Sequence, residues 1–233
     1  MSDEQNTSSK RTPTTDLANL VVPRRPSGIP YDTGEDDDSQ ALLTANGYTT
    51  ETQELVHLLD SNISVFQAAA ARVLGAKGER SAISALQRLT DNNTADETSR
   101  VQAAFAIARM DVTAGRDVLN QMLELSPEAS PAPMQAAGAL AQIGDPRGYR
   151  VIRASLSSSN SLTAMVACKQ LFKFVALDGQ MLPNGEHVDA YGLYKLILAR
   201  SEANIIGEAQ AQLKMLNTDQ AQEMLAAHSA RNH

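Results

Sequence analysis

The chain has 233 residues, of which 42% are hydrophobic but only 4% aromatic, with no Trp, one Cys and a formal net charge of −7. The lone Cys168 excludes an internal disulfide and a Cys-based metal cluster, and the sequence lacks the run of about eighteen apolar residues that a transmembrane helix needs. The start, MSDEQNTSSK, is polar and acidic, unlike a signal peptide, so a cytoplasmic protein is expected.

The charge is unevenly placed. Residues 1–60 hold eleven acids and four bases, which accounts for the whole imbalance, and the rest is balanced at sixteen of each. A neutral body poor in rings argues against nucleic acid as a partner.

Residues 1–48 are rich in Ser, Thr, Pro, Asp and Gly and show no sustained apolar period, which predicts a disordered acidic tail. Two clusters stand out in it. Leu17–Tyr31, LANLVVPRRPSGIPY, sets Leu20, Val21, Val22, Ile29 and Tyr31 beside Arg24 and Arg25, the composition of a short extended docking segment. Gly34–Ser39, GEDDDS, is a block of four acids.

From Thr50 onward the pattern is helical. Thr50 with Gln53 fits a capping box, followed by the apolar stripe Leu55, Leu58 and Leu59. The chain then repeats itself. Runs beginning at Phe66, Val101 and Met134, 35 and then 33 residues apart, each place Ala-Ala after a Gln: Gln67, Gln102 and Gln135. Each run breaks briefly and resumes as a second helix. The inner positions of these second helices are Ile83, Leu86 and Leu89, then Val118, Leu119 and Leu123, then Tyr149, Ile152 and Leu156. Two weaker copies follow, LTAMVACKQLFKFVAL with AYGLYKLIL, and IIGEAQAQLKML with DQAQEMLAAH. Such a period, two helices per copy, predicts an all-α fold: a right-handed α-solenoid of about five helical pairs over residues 49–233. In the third copy Gly144 suits a left-handed helix end, Asp145 a cap and Pro146 the first turn of the next helix.

The segment QAAGALAQIGDPRGYRVIRASL resembles a HEAT-like repeat of the short type first associated with phycobilisome lyases. The resemblance covers about Ser61 to Ser229. Gly75-Ala76-Lys77-Gly78 and Asp111-Val112-Thr113 stand where the first two copies depart from Gly-Asp-Pro. It implies a binding scaffold whose concave face is lined by second helices. A minority of the family attach or detach bilin chromophores, so the activity it would imply, if any, is that of a chromophore lyase.

The residues offer no convincing catalytic pair. Cys168 lies in an Ala-rich helix and reads as buried structure, and His57 reads as a helix-surface residue. Glu186-His187 is the one adjacent acid–His pair, too little for a metal site, and no cofactor is expected. Two features point to binding. Arg147, Arg150, Arg153, Lys169 and Lys173 fall in a stretch with no acid, an anion-binding patch for an acidic protein partner, a bilin propionate or the chain's own Glu35–Asp38 block. The segment Asp178–Asp189 lengthens the fourth copy, and such insertions are often contact sites. The expectation is a non-catalytic protein-binding scaffold, adaptor or assembly factor, its tail docking on a partner or shielding the groove. A chromophore-handling subunit and a structural subunit of a larger assembly are the alternatives.

Overall fold

The computed structural model describes residues 31–110 and 112–231, with side chains from Glu35 onward. The described chain is all-helical. Its twelve α-helices are α1 (Tyr31–Ala45), α2 (Thr52–Leu59), α3 (Ser64–Lys77), α4 (Ile83–Asp91), α5 (Glu97–Arg109), α6 (Thr113–Met122), α7 (Ala132–Gln142), α8 (Tyr149–Leu156), α9 (Ser161–Leu171), α10 (Ala190–Leu198), α11 (Ala203–Leu216) and α12 (Asp219–Arg231). Single-turn or longer 3-10 segments cover Arg80–Ala82, Pro146–Gly148 and Phe172–Leu177. None of the described helices is long and apolar enough to cross a membrane.

The five repeat copies become the pairs α3/α4, α5/α6, α7/α8, α9/α10 and α11/α12. The first helices pack in series, α3 on α5, α5 on α7, α7 on α9 and α9 on α11. The second helices α4, α6 and α8 pack chiefly onto first helices. Composition explains the division. Ala69, Ala70, Ala71, Ala103, Ala104, Ala106, Ala136 and Ala137 are all buried and let first-helix backbones approach. The larger Leu86, Leu89, Leu119, Ile152 and Leu156 fill the spaces beneath the second helices. Approach is close at Gly115 of α6, where an added Cβ would sit 2.5 Å from Ala104 O and Ala108 N of α5.

Helix ends follow the sequence where polar caps are written. Gly144 takes φ +78°, and Asp145 N returns to Leu140 O at 2.9 Å to close α7. Asp145 then accepts from Arg147 N at 3.1 Å, and Pro146 opens the next turn. Asp96 and Asn160 cap α5 and α9 in the same manner. The expected box at Thr50 and Gln53 does not form. α2 begins at Thr52, and Glu54 Oε2 instead accepts from Thr49 N at 2.7 Å, holding the entry to the helix one residue earlier. Leu55, Leu58 and Leu59 are buried as the stripe requires.

Part of the stretch expected to be a disordered tail is helical. Residues 31–45 form α1, whose end is fixed by Gly47 at φ +81° and by Tyr48 N donating to Leu43 O at 3.0 Å. Leu43 enters the same core as Leu55, Leu58 and Phe66. Of the predicted docking segment, Leu20, Val21, Val22, Arg24, Arg25 and Ile29 lie outside the described residues, and Tyr31 is the first residue of α1.

Candidate functional site

A cleft of about 290 Å³ opens between α1 and the row α3, α5, α7 and α9. First helices line it, not second helices. Their alanines draw them together, and the polar side chains of the same helices collect where α1 crosses. Lining residues include Arg72, Gln102, Gln135, Gln142, Gln170 and Lys173, faced by Glu35 of α1.

The charged centre is built from five elements. Glu35 Oε2 is 2.6 Å from Arg72 Nη2 of α3, and Glu35 Oε1 is 3.1 Å from Lys173 Nζ in the 172–177 turn. Gln142 of α7 donates to Glu35 at 3.3 Å. Asp36 lies 2.9 Å from Arg72 Nε and 2.8 Å from Arg109 Nη1 of α5. The Arg72 side chain is 9% exposed and that of Lys173 11%, so these are partly desolvated pairs rather than surface ones. Arg72 is oriented before it meets an acid, because Nη1 donates to Gln102 Oε1 at 3.1 Å and the guanidinium lies 5.3 Å from the Phe105 ring centroid. Arg109 approaches the same ring at 5.5 Å. Burial raises the Glu35 pKa, but the charges of Lys173 and Arg72 and the hydrogen bonds of Lys173 and Gln142 outweigh it and hold it below the ordinary carboxylate value.

The repeated glutamines serve different ends. Gln67 donates to Leu59 O and Ser61 O and closes the α2–α3 link. Gln102 holds Arg72. The Oε1 atoms of Gln135 and Gln170 are buried with no hydrogen-bond partner among the described residues.

Of the five predicted patch residues, only Lys173 reaches the cleft. Arg147 turns back onto Asp145, with Nε at 2.9 Å from each carboxylate oxygen. The Asp145 pKa is raised by burial but brought down overall by these bonds. Arg150 and Arg153 both engage Glu186, Arg150 at 3.4 Å. Lys169 is exposed on α9. The absence of acids between Pro146 and Leu177 is therefore made good from outside that stretch. Glu186 belongs to the 178–189 insertion, which folds as a tight hairpin with an antiparallel bridge between Met181 and His187. Val188 N donates to Gln180 O at 2.8 Å, and Leu182 and Val188 are buried. The insertion docks on α8 and consumes two of the arginines, while Met181 is left exposed at 64%.

Arg72, Arg109 and Gln142 are not marked as a group by the sequence pattern. The available signal was Arg72 itself, a charge inside the otherwise small and apolar run FQAAAARVLG.

Cys168 is fully buried, and burial pushes its thiol up to about 12, so it is not a nucleophile near neutral pH. Among the described residues no group of three or more His, Cys, Asp or Glu is placed to hold a metal.

No family model matches the chain, and no curated protein matches it. One similar solved structure is the crystal structure of an engineered protein, 20% identical over 78% of this chain and 83% of that one, with a TM-score of 0.39.

Proposed function

We propose that the protein is a non-catalytic binding scaffold or adaptor, an α-solenoid of HEAT-like pairs that takes a protein partner in the cleft along its first helices. One observation carries this reading. Arg72 and Lys173, about a hundred residues apart in the chain, converge with glutamines on one partly desolvated cleft, and Arg109 joins Arg72 in holding Asp36 of α1. Structural ion pairs do not need such a row of amides. A recognition surface does, because preoriented cations and hydrogen-bonding groups select the charge and register of what binds.

The test is affinity capture of the full chain from its native cells, in parallel with an Arg109→Glu/Lys173→Glu variant of matched melting temperature. Mass spectrometry and an absorbance spectrum are taken on each eluate. The expected result is a stoichiometric protein partner on the wild type, lost from the variant, with no visible absorbance. Equal capture by both would remove the cleft from the account. A coloured eluate would replace the scaffold reading with chromophore handling.

A further inference from the structure

We infer that the cleft is a receptor for an acidic helix presented by another protein, and that α1 occupies it as a resident stand-in. This rests on the protein-binding reading above and names the ligand class of that site.

The recognition elements are written in α1 itself. Two adjacent acids, Glu35 and Asp36, are read by side chains from α3, α5, α7 and the 172–177 turn. That places an acid pair early in a helix and an apolar anchor, Leu43, two turns further on, the pattern of a helix laid in a groove. The attachment is thin for a core element. Leu43 is the one described α1 side chain that is fully buried, whereas nine residues of α3 are buried. α1 is held by charge, by Leu43 and by the partly buried Leu42 beside it.

The fit is also incomplete. About 290 Å³ stays open beside Glu35, Gln135 Oε1 is buried among the lining side chains with no hydrogen-bond partner among the described residues, and Asp36 Oδ1 and Arg72 Nε, 2.9 Å apart, likewise lack one. Unmet acceptors in a partly desolvated space lower the affinity of the present occupant. A foreign helix that carries the acid pair and a hydrogen-bond donor beside it supplies what α1 does not. A second copy of this chain would bring only the same helix, already tethered at its own cleft, and so gains no advantage.

The test uses the full chain carrying Glu35→Gln and Asp36→Asn, with a fluorescein-labelled peptide of residues 31–46 as the probe. Amide exchange of residues 35–45 reports whether α1 has left, and fluorescence anisotropy at low salt reports binding. Expected are faster exchange across α1 in the variant and peptide binding at least tenfold tighter than to wild type. Adding Arg72→Gln, or separately Lys173→Gln, should abolish that gain, and a peptide with the same two amides should not bind. Two results overturn the inference: α1 that stays protected in the variant, or α1 that is released while the acidic peptide fails to bind. If either occurs while cellular capture still depends on Arg109 and Lys173, the scaffold reading stands and only the acidic-helix ligand falls.

Discussion

Arg72 shows how one residue turns a packing helix into a binding one. It leaves α3 beside alanines, is steadied by Gln102 and Phe105, and forms ion pairs with both Glu35 and Asp36. Lysine has the charge but not the planar fork, so Arg72→Lys should speed α1 amide exchange about tenfold while moving the melting temperature little. Glu35 adds a pH dependence. Its folded pKa lies below the ordinary value of 4.5, so its contribution to docking is complete above that value and is lost as pH falls through the lowered one. Amide NMR should show α1 resonances unchanged from pH 7 to 5 and shifting toward released positions only at more acid pH. Retention of α1 at pH 2 would mean that its apolar contacts, Leu42 and Leu43, suffice. Gly115 is a separate case, fixed by contact rather than charge. Gly115→Ala forces α6 off α5 and should cost about 1–3 kcal/mol in urea unfolding. The cluster of bases visible in the sequence is mostly paired with acids in the structure. Arg147, Arg150 and Arg153 are neighbours along the chain, and their acids, Asp145 and Glu186, lie outside the acid-free stretch 146–177. The bases that converge, at 72, 109 and 173, are distant in sequence and are brought together only by helix stacking.

At the scale of elements, the repeat pairs were legible because each copy carries its own periodicity and breaks. Gly144, Asp145 and Pro146 do in three dimensions what their side chains dictate locally. α1 was not legible because acid content and prolines upstream outweighed a weak apolar pattern. Its C-terminal sign was nevertheless present, in Leu43 followed by Gly47 and Tyr48. The insertion was legible as an insertion but not as a hairpin, since its order depends on Leu182 and Val188 finding the core and on Glu186 finding α8. Glu186→Gln weakens the second of these ties. It should accelerate exchange of the Val188 amide, bonded to Gln180 O, and leave peptide binding at the cleft unchanged. A parallel loss of cleft binding would show that hairpin and cleft are coupled.

Across the whole molecule, the buried side chains fall into three clusters rather than one. The first holds α2 to α4 with Leu43 and part of α5, the second joins α5, α6 and α7, and the third runs from α7 to α12. α5 serves two of them, with every residue from Ala103 to Ala108 buried. Damage should therefore stay local when it is terminal. Leu213→Ala, at a fully buried site in α11, should cost about 2–5 kcal/mol and expose α11 and α12 amides while those of α3 and α5 stay slow. The short link from Asn46 to Glu51 has a different consequence. It keeps α1 at an effective concentration on the order of millimolar over its cleft. A free helix of equal intrinsic strength, present at micromolar levels, would then fill only about one cleft in a thousand. The tether thus sets a threshold: at micromolar levels a free acidic helix displaces α1 only if it binds far better than α1 itself.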